Sequence, residues 1–521
     1  MMRNILLAAG IWAAFTACSK KSVSTGSILE VTKDSTGSLV AMNGEDYRPL
    51  FHFTPPKNWM NDPNGMVYYK GTYHLFYQHH PFGNKWGPMH WGHTTSTDMF
   101  NWKDQPIALA PDAAGTIFSG SAVVDAQNTS GFKTGTEDPL VAIYTLAGTQ
   151  QHQAIAYSND AGATWTKYAQ NPVLPNAGIA DFRDPKVFWH EGRKQWIMSL
   201  AVKDKISFYA SPDLKSWTLE SSFGEKVGAH GGVWECPDLF PIKVAGSNAE
   251  KWVLLVSINP GGPNGGSATQ YFVGNFDGKT FTPDDTEIRW LDYGTDNYAG
   301  VTYSNIAAAD GRRILIGWMS NWSYAEQVPT PWRSTMTVPR ELSLKQVGQE
   351  LVLCSQPVAE WNNYKVSAGE KIIAAPTASV VLENNDLIKS GSYALHFDAD
   401  MAAAGTVTLS LGNGPEKLLL TIDRQANNIT IDRAASGVVD FNPHFGQKVL
   451  CPFTPNTNKP TQVQVLIDKT SIEVFVNGGE KVMSALFFPK YKYTTLKLQA
   501  TGNAQAISNF KLQGITKSML R

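Results

Sequence analysis

The sequence predicts an all-β protein, a five-bladed β-propeller followed by a C-terminal β-sandwich. Three observations carry the prediction. The 521 residues hold 44 Gly, 29 Pro and 16 Trp with no long Ala/Glu/Lys/Leu tract, a composition that suits turn-rich sheet rather than helix. A strand–turn–aromatic unit recurs along the first two thirds of the chain. Beyond about residue 345 Trp thins out and alternating aliphatic runs take over. The length fits two to four domains of ~100–200 residues each. Lys+Arg total 44 against 45 Asp+Glu, a formal charge of −1, so no field draws the chain to nucleic acid. Aromatics at 11% with charged residues at only 17% exclude wholesale disorder.

The amino terminus reads as a processing signal over residues 1–17. Arg3 precedes an apolar run from Ile5 to Thr16, too short for a bilayer, which takes ~20 residues, but suited to a secretory h-region. Phe15-Thr16-Ala17-Cys18 resembles a bacterial lipobox, so lipidation of Cys18 and anchoring to a membrane are expected, with the periplasm-facing side favoured over the cell surface. Residues 18–45, rich in Ser, Thr, Lys and Gly, then form a flexible tether. The other cysteines, Cys236, Cys354 and Cys451, lie too far apart in sequence for a disulfide framework or a zinc site, leaving one open pairing, Cys354–Cys451.

Residues 46–345 carry the repeat. Ser96-Thr-Asp-Met-Phe-Asn-Trp102, Ser158-Asn-Asp-Ala-Gly-Ala-Thr-Trp165, Ser211-Pro-Asp-Leu-Lys-Ser-Trp217 and Asn275-Phe-Asp-Gly-Lys-Thr-Phe281 share a turn Asp and a following aromatic. Their aromatics stand 63, 52 and 64 residues apart (102 to 165, 165 to 217, 217 to 281), the length of a four-stranded blade. A fifth unit fits Tyr298 to Trp322. Residues 362–521, with runs such as Gly405-Thr-Val-Thr-Leu-Ser-Leu and Gln462-Val-Gln-Val-Leu-Ile, read as the sandwich.

Placed on this repeat, three acids fall near the starts of separate blades, where innermost strands surround the axis. They are Asp62 in Trp59-Met-Asn-Asp-Pro-Asn-Gly65, Asp184 in Phe182-Arg-Asp-Pro185 and Glu235 in Trp234-Glu-Cys-Pro237. Each stands one or two residues before a proline, which fixes φ and removes a donor, and so is expected to end the strand where the acid turns inward. Converging carboxylates repel and raise one another's pKa, so they need a task. Glycoside hydrolysis and hard-metal binding both use such clusters. No Asp-x-Asp-x-Asp loop is present, and neighbouring aromatics suit a sugar face, which favours the glycosidase with no metal and no cofactor.

These motifs, with Tyr73-His-Leu-Phe-Tyr-Gln78, Trp86-Gly-Pro-Met-His-Trp-Gly-His93 and Phe118-Ser-Gly-Ser121, resemble glycoside hydrolase family thirty-two, the invertase, inulinase and levanase family. Ser484-Ala-Leu-Phe-Phe-Pro489 is similar to that family's sandwich. The resemblance implies a retaining double displacement on β-fructofuranosides such as fructan or sucrose. By it Asp62 is the nucleophile, Glu235 the acid/base, and Asp184, with Arg183, the stabiliser of the transition state. It also places Asn61, Gln78, Trp86, Phe118, Ser119, Tyr298 and Trp318 around the fructosyl ring, with Trp322 competing for the place of Trp318. Glu235 is expected to be protonated at the outset, held so by partial burial and by Asp62. His79, His80 and His93 read as structural. Trp86-Gly87 implies a closed pocket and exo-action. The rival readings are an endo-acting levanase, a fructosyltransferase, an inverting arabinan or xylan hydrolase, and a non-catalytic glycan-binding lipoprotein.

Overall fold

The computed structural model describes residues 39–516; the expected signal peptide, Cys18 and most of the expected tether lie outside the described residues. Five sheets form the blades, antiparallel except where Asn58 and Trp59 pair in parallel with Trp332 and Arg333. Their innermost strands are Asn58–Tyr69, Thr116–Val124, Phe182–His190, Val233–Lys243 and Tyr298–Thr302. Each touches the next, and the first touches the last, so the ring closes on itself. In four blades the predicted Asp turn joins the third strand to the outer one. Asp98 accepts from Phe100 N and Asn101 N, Asp160 from Thr164 N, Asp213 from Lys215 N and Ser216 N, and Asp277 from Lys279 N and Thr280 N. The repeat is therefore an Asx turn, a short polar side chain satisfying backbone donors that the sheet leaves open.

The fifth blade lacks that turn. Its outer strands, Arg340–Val347 and Glu350–Pro357, pair as a hairpin, which carries the propeller past the residue 345 expected from sequence. The sandwich follows as two six-stranded antiparallel sheets. Strand Lys417–Asp423 alternates with Leu418, Leu420 and Ile422 inward, the period-2 pattern of a half-buried strand. Its core is aliphatic, built from residues such as Val407, Leu409, Ile431, Val465 and Leu498. Buried cations stitch sandwich to propeller. Arg340 reaches Asp292 at 2.9 Å and Glu473 at 2.5 Å, Arg433 reaches Asp296 at 3.0 Å, and His52 sits between Asp468 at 3.0 Å and Glu473 at 3.3 Å. The last stretch of the expected tether is not free: Met42 N donates to Lys490 O at 2.8 Å and Lys492 N to Val40 O at 2.9 Å.

Candidate active site

The local reason the acids face the axis is a bulge. Pairing slips between Met60 and Pro63, between Glu235 and Asp238, and opposite Asp184 between Ser199 and Ala201. Each bulge inserts an unpaired residue and re-aims its side chain. The prolines therefore do not end the strands, as the sequence suggested; they sit inside them, where the bulge requires no donor. Asp184 (φ 64°) and Cys236 (φ 46°) occupy the left-handed region, strain of a kind that persists where the surrounding structure over-determines it. That twist at Cys236 turns its N–H onto Asp184 Oδ2 at 3.1 Å.

The three acids open into one cavity of about 300 Å³, lined also by Asn61, Gln78, Trp86, Phe118, Ser119 and Arg183. Asp62 is gripped at both oxygens: Asn61 Nδ2 donates to Oδ1 at 2.9 Å and Ser119 Oγ to Oδ2 at 2.6 Å. Trp59 Nε1 in turn holds Asn61 Oδ1 at 2.8 Å. Arg183 donates from Nε and Nη2 to Glu235 Oε1 at 3.1 and 3.0 Å, while the Tyr298 hydroxyl donates to Oε2. Arg183 also pairs with Asp181 at 2.5 Å and lies 3.9 Å from Asp184. The Cys236 thiol stands 3.7 Å from Oδ2 of both Asp62 and Asp184, bridging the two.

Burial governs the electrostatics. It pushes Asp62 up, Glu235 adds to the push, and the Ser119 and Asn61 donors oppose it. Asp184 rises to about 7: burial lifts it, Arg183 pulls it down, and Glu235 and Asp62 lift it again. Burial and Glu235 lift both Asp62 and Asp184, and such coupled titrations belong to the group rather than to one residue. Burial also pushes the Cys236 thiol well up, so it is a neutral donor here, not a thiolate.

Trp318 is displaced from its expected place. It is fully buried with its ring 4.9 Å from that of Trp322, and Trp322 is the indole that lines the cavity. The reason is depth: Trp318 lies within the strand Arg313–Met319, packed under Tyr298 and Trp59, whereas Trp322 follows in the loop. Tyr298 lies outside the cavity lining and bonds Glu235 from behind it. Trp86 is 47% exposed, its ring edge-on to Phe118 and its backbone N–H donating to Glu326 Oε1 at 3.2 Å. His79 is a buried prop on Trp59 O at 2.7 Å, His93 stacks on His74, and His80 bonds Lys85 O. Cys236, Cys354 and Cys451 are all free thiols, so the Cys354–Cys451 bridge is not formed.

Sequence reasoning passed over Gln151 and Cys236. Gln151 lines the cavity and accepts from Phe182 N at 2.9 Å, anchoring the strand that carries Arg183 and Asp184. No local pattern marks it. Cys236 was legible, since it stands between Glu235 and the bulge proline.

A propeller whose axis ends in a cavity of about 300 Å³ lined by three carboxylates, one guanidinium and two indoles defines a glycoside hydrolase. The glycosyl hydrolases family 32 N-terminal domain matches residues 52–357 and the family 32 C-terminal domain residues 363–513. The chain belongs to glycosyl hydrolase family 32. A levanase of Bacillus subtilis is 46% identical over 91% of this chain and 71% of its own length, and the extracellular exo-inulinase of Aspergillus niger is 39% identical over 91% and 95%. The crystal structure of exo-inulinase from Aspergillus awamori superposes with a TM-score of 0.83 at 36% identity, covering 90% of this chain and 98% of that one. A β-fructofuranosidase from Schwanniomyces occidentalis, complexed with fructosyl-erythritol, matches with the same TM-score of 0.83 at 33% identity, covering 91% of this chain and 99% of that one.

Proposed function

We propose that the protein is an exo-acting, retaining β-fructofuranosidase that releases fructose from fructan or sucrose. One observation carries the reading: Asp62, Asp184 and Glu235, from three different blades, share a single cavity of about 300 Å³. Asp62, gripped by Asn61 and Ser119, is the nucleophile; its held geometry presents a carboxylate oxygen to the anomeric carbon. Glu235 gives its proton to the leaving oxygen and then takes one from the water that frees the sugar. Arg183 and Tyr298 hold Glu235 in place for both steps. Asp184, braced by Cys236 N, binds sugar hydroxyls and answers the positive charge that grows at the ring in the transition state. Retention requires the two reacting carboxyls ~5–5.5 Å apart, inversion ~6.5–9.5 Å.

The small volume of the cavity, with Trp86 and Trp322 in its wall, supports exo-action, since a cleft for internal attack has to pass a chain in both directions. The names levanase, exo-inulinase and invertase among the relatives support fructan or sucrose as substrate. Export and lipidation at Cys18 belong to the same proposal, supported by Arg3, the apolar run and Phe15-Thr16-Ala17-Cys18, and by relatives named extracellular.

The test is a product time course on levan, inulin and sucrose, with NMR of the first anomer released. Fructose alone from the earliest points, as the β-anomer, is the expected result. A ladder of oligosaccharides refutes exo-action, longer products at high sucrose indicate transfer, and the α-anomer refutes retention.

A further inference from the structure

A second cavity, of about 250 Å³, opens where residues 42–48 cross the sandwich, and its lining shares no residue with the catalytic cavity. Its floor is apolar, with Ile388, Ile467 and Phe487 all buried. Tyr393 also lines it at 1% exposure, and its hydroxyl makes no hydrogen bond among the described residues. Burial alone pushes that phenol far above its ordinary value, so it stays a neutral donor. The oxygen is not sealed off from the cavity, so the hydroxyl is a donor open to a ligand oxygen.

The mouth is cationic. Lys389, Lys469 and Lys492 border it. None of the ion pairs among the described residues includes Lys469 or Lys492; the Lys469 ammonium donates only to the Ser390 carbonyl. Burial pushes Lys469 down, Asp468 offsets part of that, the Lys492 charge pushes it down again and Asp46 offsets part in turn, so the two ammoniums oppose each other beside carboxylates that only partly balance them. The carboxylates at the same mouth are already engaged. Glu45 accepts from Arg48 Nη2 at 2.8 Å, and Asp46 accepts from Asn43 N at 3.2 Å. A neutral sugar would leave Lys469 and Lys492 without an ion pair, and a bare inorganic anion would leave the apolar floor unfilled.

We propose that this cavity binds a small carboxylate carried on an apolar or aromatic body. The carboxylate lies between Lys469 and Lys492 as charge-assisted hydrogen bonds require, the body covers Ile388, Ile467 and Phe487, and Tyr393 donates its hydroxyl to a ligand oxygen. Nothing in this assignment depends on the fructosidase reading, and it stands or falls separately.

Isothermal titration of the full chain with benzoate, benzyl alcohol, inorganic phosphate and fructose tests it. Benzoate is expected to bind once per chain, at least about tenfold more tightly than benzyl alcohol or phosphate. Lys492→Met and Tyr393→Phe are each expected to weaken it about fivefold or more while sucrose hydrolysis is unchanged. Benzoate binding that saturating fructose abolishes would place the ligand in the catalytic cavity and overturn the proposal. So would equal binding of benzyl alcohol or phosphate, absence of benzoate binding at millimolar concentration, or unchanged affinity in both variants.

Discussion

Replacing Asp184 by asparagine should make the protein more stable and far less active. Asp184 is 5% exposed and raised from 3.8 to about 7, chiefly by burial, against the pull of Arg183 and with the push of Glu235 and Asp62. The folded state therefore keeps a proton that the unfolded chain has already lost. Its contribution to stability is complete below pH 3.8 and is lost as pH rises through 7. Across that interval, at ~1.4 kcal/mol per pH unit, the ionised carboxyl costs the fold on the order of 4 kcal/mol. Because Asp62 shares the titration, the Asp184→Asn variant should recover on the order of 2–4 kcal/mol rather than all of it. The amide is nearly isosteric and its oxygen can still accept from Cys236 N, so the bulge survives. Denaturant unfolding followed by Trp fluorescence checks this at several pH values. The Asp184→Asn midpoint should exceed wild type at pH 8, approach it by pH 5, and meet it near pH 4. Turnover of a β-fructoside should fall about 10²–10³-fold, the usual loss for a transition-state contact. A variant less stable than wild type at pH 8, or a gap that does not change with pH, would refute the reasoning.

Trp322→Ala should lower kcat/KM on sucrose about tenfold with little change in stability, whereas Trp318→Ala should destabilise by about 3–5 kcal/mol through the cavity it leaves. Steady-state kinetics beside thermal melts separate the two, and the reverse pattern would restore Trp318 to the sugar site. Ser119→Ala removes the 2.6 Å donor that holds Asp62 down, so Asp62 should rise further and the acid limb of the kcat/KM profile should move to higher pH; an unmoved limb refutes the role given to Asp62. At the seam, burial pushes His52 down but Asp468 and Glu473 outweigh it and carry it from 6.5 to about 9. Its stabilisation, about 3 kcal/mol, is present in full below pH 6.5 and lost as pH rises through about 9. The stability gap between wild type and His52→Gln should close over that window, and a constant gap in unfolding midpoints contradicts it.

Period, turn chemistry and motif spacing are local properties, and they are why so much of the fold can be read along the chain. The Asp turns at Asp98, Asp160, Asp213 and Asp277 repeat because each blade needs the same backbone donors satisfied, so the blades could be counted from sequence. Alternation in Lys417–Asp423 announced a sheet with one buried face. The acids Asp62, Asp184 and Glu235 were findable because each stands beside a bulge proline. What remained hidden depends on distance through space. Depth separates Trp318 from Trp322, four residues apart in sequence, one buried behind the cavity wall and the other part of it. Gln151 matters only because its side chain meets Phe182 N across a blade boundary, and Cys236 only because two carboxylates from other strands reach its thiol. The lysines over Tyr393 come together from a short helix, a turn and a loop far apart in sequence. Residue type and spacing decide which strand forms and which face it buries; which neighbours then share a cavity, and so which proton or charge each must answer, is decided by the closing of the ring and the docking of the sandwich.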